Sequence, residues 1–272
     1  MKGSFVKCFL RGIAIIFLCA ITFTMISCGN HKLNKTSEVV GKFKNITVLA
    51  PKEANLTLAP STDGMVKVVA ITHKRVNCDT FVEEGTLIID IVDTRNWFDR
   101  LFEVHAPEIT VYIPAREYGT LKIDTTTGKI NVPSDFLFES ISIHGATGDI
   151  TCNASVKDCI NISNKSGNVF LENVRANTLN VSITTGNIEL TNVIVTGKMS
   201  LESTTGSITF DGCDAGEIYA KASTGNIKGS LLSPKIFLTS TKTGSVHVPR
   251  TTNGGVCDLI TETGKINITI EE

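Results

Sequence analysis

The sequence predicts an all-β protein: a single-stranded β-solenoid, or β-helix, of about eight 19–20-residue coils with an irregular N-terminal β cap. Two observations carry most of this prediction. From residue 121 onward a Thr-Gly or Ser-Gly pair returns every 19 or 20 residues, and apolar residues keep fixed offsets from its glycine. Between these pairs, apolar and polar residues alternate as they do in half-buried strands.

The first 27 residues are typical of an export signal. Lys2, Lys7 and Arg11 precede an apolar run over residues 12–26, which is short for a membrane span of about 20 apolar residues. The run ends in Met-Ile-Ser before Cys28, a pattern that resembles a bacterial lipoprotein lipobox. We therefore expect residues 1–27 to be a signal peptide and Cys28 to be lipidated. An uncleaved single-span anchor is the alternative.

Residues 28–42 are mostly polar and suit a tether between a lipid and a folded body. Either kind of anchor places the body outside the cytoplasmic membrane. The predicted location is therefore extracytoplasmic and membrane-anchored, at the cell surface or the periplasmic face. The membrane itself is the first expected partner.

Residues 43–120 also alternate like strands but lack the Thr-Gly phase, so we interpret them as an irregular N-terminal β region and cap. This region contains the only Trp. Trp97, Phe98, Leu101 and Phe102 are spaced as one face of a short helix or loop. Two interpretations stay open: a plug over the end or side of the solenoid, and an exposed patch that contacts a partner or a membrane.

Residues 121–272 form the regular repeats. A hydroxyl residue always precedes the repeated glycine, and Ile or Val always stands two residues after it, where a β-branched side chain packs well on a pleated surface. The structural glycines of the repeat are Gly128, Gly148, Gly167, Gly186, Gly206, Gly225, Gly244 and Gly264.

A constant period favours a solenoid over a series of hairpins, because each coil must rest in register on its neighbour. Glycine at each corner permits positive φ and close stacking, and the adjacent hydroxyl can bond to the turn or to the next coil. At about 4.8 Å per coil, the coils would form a rod roughly 35–40 Å long. The last coil, LITETGKINITIEE, is expected to be an exposed edge.

Composition and motifs exclude several function classes. The 26 basic and 27 acidic residues give no overall field that would attract nucleic acid. No catalytic residue, cofactor or metal site is predicted, and Asp211, Asp214 and Glu217 are interpreted as a solvated turn. The cysteines beyond Cys28 lack metal-site spacing and are expected to fill core positions: Cys78, Cys152, Cys159, Cys213 and Cys257.

The repeat resembles the bacterial DUF4097 family, whose members are called adhesins or β-strand repeat proteins. The resemblance rests on EITVYIPAREYGTLKIDTTTGKINV, residues 108–132, and on the later ATGDITC, KSGNVFL, TTGNIEL, TTGSITF, STGNIKG, KTGSVHV and TETGKINI. It covers roughly residues 45–272 and implies an extracytoplasmic β-solenoid behind a membrane or lipid anchor. Adhesion and envelope-stress roles are implied for such proteins, without catalytic residues.

The sequence thus favours a non-enzymatic surface lipoprotein, an adhesin or binding scaffold. Its ladders of hydroxyl and amide groups would bind an envelope protein or a surface glycan through many weak hydrogen bonds. A scaffold or envelope-stress sensor of the same architecture is an alternative. The alternative of a different class is a carbohydrate-active enzyme, a polysaccharide lyase or hydrolase, which needs converging charged side chains on neighbouring coils.

Overall fold

The computed structural model describes residues 33–72, 75–96 and 106–271, and these form an all-β, solenoid-like body. The predicted signal peptide, Cys28 and the segment from Trp97 to Phe102 lie outside the described residues. The strands before the regular repeats are β1 (Leu33–Val39), β2 (Asn45–Glu53), β3 (Asn55–Pro60), β4 (Val66–Thr72), β5 (Val76–Glu83), β6 (Thr86–Asp93) and β7 (Glu108–Ile113).

The repeats supply the remaining strands, two or three to a coil. Those as far as the middle of the chain are β8 (Glu117–Thr127), β9 (Ile130–Val132), β10 (Leu137–His144), β11 (Ile150–Cys152), β12 (Ser155–Val156), β13 (Cys159–Ser166), β14 (Val169–Glu172), β15 (Arg175–Ala176) and β16 (Thr178–Thr185). They are followed by β17 (Ile188–Thr191), β18 (Ile194–Thr205), β19 (Ile208–Thr224), β20 (Ile227–Leu231), β21 (Ile236–Thr243), β22 (Val246–His247), β23 (Val256–Thr263) and β24 (Ile266–Ile270).

Two parallel sheets enclose the core. The strands that precede the corner glycines form one sheet, which we call the long sheet because most of its strands are longer than those of the other sheet. Its strand order is β6, β2, β8, β10, β13, β16, β18, β19, β23 and β21. The strands that follow the corners form a short sheet in the order β7, β3, β9, β11, β14, β17, β19, β20, β24 and β22. Parallel pairing follows because each coil repeats the chain direction of its neighbour.

Most of the predicted inward columns are buried. Ile141 is paired with Leu121 on one side and with Ile160 on the other, and all three are fully buried. Burial of one such side chain contributes about 1.5–3 kcal/mol. The coil of β21 and β22 departs from the pattern, because Thr239 is exposed at an inward position and Val246 is 42% exposed.

The corner glycines stack directly on one another. At Gly206, φ is +145°, and a Cβ there would lie 1.8 Å from the carbonyl oxygen of Gly186. Each corner of the regular repeats needs glycine both for this backbone conformation and for the close approach of the next coil. The order of the stack can be read at its end, where the carbonyl oxygen of Gly225 lies against Gly264 and that of Gly264 against Gly244.

The hydroxyl groups next to the corner glycines do not make the predicted bonds. In the described part of the chain, their side chains form no hydrogen bond to protein. In several coils the residue three positions before the glycine takes this role, and it reaches the corner carbonyl of the neighbouring coil in the stack. Asn164 Nδ2 donates to the Gly148 carbonyl at 2.8 Å, Ser203 Oγ to Gly186 at 3.1 Å and Thr261 Oγ1 to Gly225 at 3.0 Å.

The last coil of the chain is not an edge, contrary to the prediction. β23 pairs with β19 on one side and β21 on the other, and β24 lies between β20 and β22. The preceding coil, β21 and β22, is outermost. The chain reaches this arrangement by turning back through residues 249–255, where Gly255 packs against the Gly216 carbonyl so closely that a Cβ would lie 1.7 Å from it.

At the start of the chain, too, the coils are not stacked in chain order. The predicted tether is corrected here as well. Leu33–Val39, predicted as tether, are strand β1, which pairs antiparallel with β4. β2 and β3 form a coil in phase with the repeats, and it lies between the coil of β6 and β7 and that of β8 and β9. Antiparallel β4 and β5 then border β7 and β6, and β1 borders β4, so these three strands extend the two sheets at this end.

Candidate functional site

The best candidate surface is the outward side of the long sheet in its middle coils. We call it the serine–asparagine face and define it by Ser142, Asn161, Ser163, Asn180, Ser182 and Ser200. These side chains alternate with the inward columns, so the strands β10, β13, β16 and β18 hold them at successive coil positions, about 4.8 Å apart. Asn161 is directly paired with Asn180, and Ser163 with Ser182.

The polar groups of this face have unused bonding capacity. Asn180 Nδ2 donates to Asn161 Oδ1 at 2.8 Å, which aligns the two amides along the rod. Within the described ranges, the hydroxyl groups of Ser163, Ser182 and Ser200 have no protein partner. A ligand can therefore bind to them without breaking an internal hydrogen bond, which makes the face chemically available.

A second polar ladder is not available to a ligand, because its side chains are hydrogen-bonded to the backbone of neighbouring coils. It consists of the residue that follows each corner glycine. Asn187 N donates to Asn168 Oδ1 at 2.8 Å, and Ser207 N donates to Asn187 Oδ1 at 2.9 Å. The same bond joins Lys265 N to Asn226 Oδ1 at 2.8 Å. Sequence reasoning treated all the hydroxyl and amide ladders alike, whereas this column is bonded between coils and, within the described ranges, the hydroxyls of Ser163, Ser182 and Ser200 are not.

The serine–asparagine face forms a shallow depression of about 320 Å³. His144 lies at one end and Glu202 at the other, and both are exposed. Next to Ser200 in the neighbouring coil stands Tyr219, whose half-buried ring extends the face. The surface is thus nearly neutral over its length, which suits an uncharged ligand rich in hydroxyl groups better than a polyanion.

The acidic residues that sequence reasoning singled out do not form a turn. Asp211, Asp214 and Glu217 all lie within strand β19. Asp214 Oδ1 lies 2.5 Å from Lys235 Nζ, and Lys235 is buried, so this carboxylate is part of a structural ion pair. Across residues 33–72, 75–96 and 106–271, no group of three or more His, Cys, Asp or Glu is placed to hold a metal ion.

The five cysteines of the described body are free thiols. Cys152, Cys213 and Cys257 are buried in the core as predicted, and Cys78 and Cys159 are half-buried. Burial raises the pKa of Cys152 and of Cys257 to about 12, so these thiols stay protonated at neutral pH. A thiol that stays protonated is a poor nucleophile, and the core cysteines act as small apolar residues.

Nowhere in the described ranges does a helix reach the length and hydropathy of a membrane span.

Comparison with known proteins identifies the repeat. A family model described as Toastrack DUF4097 matches residues 43–270. No curated protein matches the sequence. Among solved structures, one of a proposed lipid-binding protein from Parabacteroides distasonis has 17% identity and a TM-score of 0.53, and the match covers 87% of this chain and 96% of that one. A proposed adhesin from Bacteroides fragilis has 18% identity and a TM-score of 0.46, with 89% and 98% covered.

Proposed function

The chain belongs to the Toastrack DUF4097 family, and on that basis we propose that it is a non-enzymatic binding protein of the cell envelope. The proposed ligand of its serine–asparagine face is a neutral cell-wall or surface glycan. The observation that carries the proposal is the array of exposed hydroxyl and amide groups on successive coils, of which three hydroxyls have no partner within the described ranges. Adhesion to a surface or scaffolding within the envelope would both use such binding.

The spacing of the array supports a polymeric ligand. Polar groups that recur every coil, about 4.8 Å apart, can bind a chain of sugars at several points at once. Each hydrogen bond contributes only about 0.5–1.5 kcal/mol, so useful affinity has to come from repetition. A rigid solenoid favours this mode, since it holds the groups in place before the ligand arrives.

The proposed location outside the cytoplasmic membrane depends on Cys28 and the apolar run before it. Cys28→Ala should release the protein from the membrane fraction or leave it with an unprocessed signal, because no other residue of the motif can take the lipid. Fractionation followed by mass spectrometry of the N-terminus distinguishes these states. A Cys28→Ala protein that is still processed and still membrane-bound would contradict the lipid anchor.

The glycan proposal is tested with a double variant of the face, Asn180→Ala with Ser182→Ala. Loss of two hydrogen-bonding side chains should weaken binding to immobilised envelope polysaccharide about tenfold. The matched control is Asn131→Ala with Thr151→Ala, which removes similar groups from the outward side of the short sheet and should leave binding unchanged. Circular dichroism confirms that both variants are folded.

Equal losses in both variants would contradict the assignment to this face. Chromatography of the polysaccharide after incubation tests the enzymatic alternative in the same samples. Release of shortened or unsaturated oligosaccharides would overturn the non-enzymatic proposal. A third outcome is that the chain binds an envelope protein but no polysaccharide, and that the double variant loses this binding. The ligand of the face would then be a protein and not a glycan.

A further inference from the structure

We propose that the outer end of the solenoid binds an extended, acidic polypeptide segment that adds a strand to β21. We call this surface the open end; it consists of β21, β22 and residues 249–252. It is separate from the serine–asparagine face, and its binding does not depend on the function proposed for that face. The partner contributes main-chain hydrogen bonds, alternate apolar side chains and at least one carboxylate.

The open end has two unpaired strand edges. Among the described strands, β21 pairs with β23 alone and β22 with β24 alone. Ile236 N donates to the Gly255 carbonyl at 2.9 Å, and alternate amides of β21 beyond it face the free edge. At the opposite end of the solenoid, antiparallel β1, β4 and β5 extend the two sheets, and Lys35 Nζ of β1 bonds to Asn77 Oδ1 of β5 at 2.8 Å.

A groove with one apolar and one polar side accompanies these edges. It has a volume of about 630 Å³. Phe237, Val246, Val248 and Pro249 form its apolar side, and His247, Arg250, Thr251 and Thr252 form its polar side. Leu238, at an outward position of β21, is 52% exposed. In every other repeat coil the residues equivalent to Val246 are buried by a further coil. An added strand with apolar residues at alternate positions would complete this burial.

The charge of the open end selects an acidic partner. Residues 218–257 contain no Asp or Glu, and Arg250 is exposed at the groove and has no ion pair within the described residues. The strand that β21 already accepts on its inner side is acidic as well. β23 carries Asp258 and Glu262, and Glu262 Oε2 lies 3.2 Å from Lys242 Nζ.

The same charge argues against a second copy of the chain as the partner. Pairing two open ends face to face would bring two basic coils together, with no acidic residue in residues 218–257 of either copy to compensate Lys242 and Arg250. Like charges placed opposite one another destabilise strand pairs. An exposed lysine on an edge strand is also a common protection against self-pairing.

The test uses a labelled peptide that copies residues 256–263 with Cys257→Ser, because β21 pairs with this sequence in the structure. The full chain in detergent should bind the peptide saturably in fluorescence anisotropy. A second peptide carries N-methyl groups on alternate amides and cannot complete a strand ladder, so it should not bind. The peptide with both acidic residues replaced by lysine should bind at least about tenfold more weakly.

A matched pair of protein variants locates the binding. Arg250→Glu reverses the exposed charge at the groove and should weaken binding about tenfold. Arg175→Glu makes the same change on an exposed residue of a middle coil and should change the affinity less than about twofold. Both residues are on the surface, so neither substitution is expected to unfold the chain.

Three results would overturn the proposal. The first is the absence of saturable peptide binding to the unmodified chain. The second is binding that N-methylation of the peptide or Arg250→Glu leaves unchanged, which would show that the peptide is held elsewhere. The third is a dimer of the full chain in sedimentation that Thr239→Pro dissociates, since this would show that a second copy covers β21.

Discussion

At the scale of single residues, the corner glycines carry the strictest requirement. An alanine at position 206 would have its Cβ 1.8 Å from the Gly186 carbonyl oxygen in a conformation, φ +145°, that L-residues avoid. We expect Gly206→Ala to lower the free energy of unfolding by about 3–5 kcal/mol, as the sum of backbone strain and the clash with the neighbouring coil. Chemical denaturation followed by circular dichroism measures this loss.

Gly64→Ala is the control that separates the two contributions. Gly64 also has positive φ, +74°, but a Cβ there would meet nothing within 4 Å. Gly64→Ala should lower the free energy of unfolding by the backbone strain alone, about 1–2 kcal/mol. Equal losses at Gly64 and Gly206 would show that coil stacking does not limit the corner residue.

Residue patterns predicted the columns of the core but not all of the polar contacts. The constant offsets of Ile and Val from the repeated glycine were sufficient to predict which side chains are buried, because burial in a strand depends mainly on alternation. The bond from the third residue before the corner was missed, since Asn164, Ser203 and Thr261 alternate there with apolar residues such as Ile183. Only the distance to the neighbouring corner carbonyl reveals that these polar groups share one role.

At the scale of strands and coils, the order of stacking could not be read from the sequence. Each coil presents the same inward columns, so any coil can rest on any other in the correct register. One signal was present. Thr239 replaces the apolar residue found at this inward position in the other repeats, and it is exposed because its coil is outermost.

The coil of β2 and β3 was interpreted as part of an irregular N-terminal region, and its phase with the repeats was not predicted for a local reason. Ala54 occupies its corner where glycine stands in the repeats, and the Gly128 stack begins against the Ala54 carbonyl. The pairing of β2 with β8 also shifts by an irregularity between Ala50 and Glu53. A search for Thr-Gly at constant spacing fails on both counts, although Ile46 and Val48 pair with Leu121 and Ile123 of the first regular coil.

At the scale of the whole molecule, the middle coils are interchangeable and the ends are not. Deleting residues 167–185 joins Ser166 to Gly186 and preserves the repeat phase across the junction. We expect this deletion to give a folded protein with cooperative unfolding, because each remaining coil finds an equivalent neighbour. Circular dichroism and thermal unfolding measure the outcome.

Truncation after Gly255 is the comparison, and it removes a similar number of residues. It should be more destabilising than the internal deletion, since the loss of β23 and β24 deprives β21 and β22 of the strands they pair with. Hydrogen exchange should then show unprotected amides throughout residues 236–247. Protection of β21 in the truncated chain would show that the outermost coil can stack on β19 and β20 without β23 and β24.

The insertion of β23 and β24 has a consequence for biosynthesis. A solenoid stacked in chain order could mature coil by coil as it emerges from a ribosome or an export channel, N-terminus first. Here the outermost coil has no strand to rest on until residues 256–270 have also emerged, because they supply the layer beneath it. The outermost coil can therefore assemble only after residues 256–270 have been delivered, so its presence marks synthesis through these two strands.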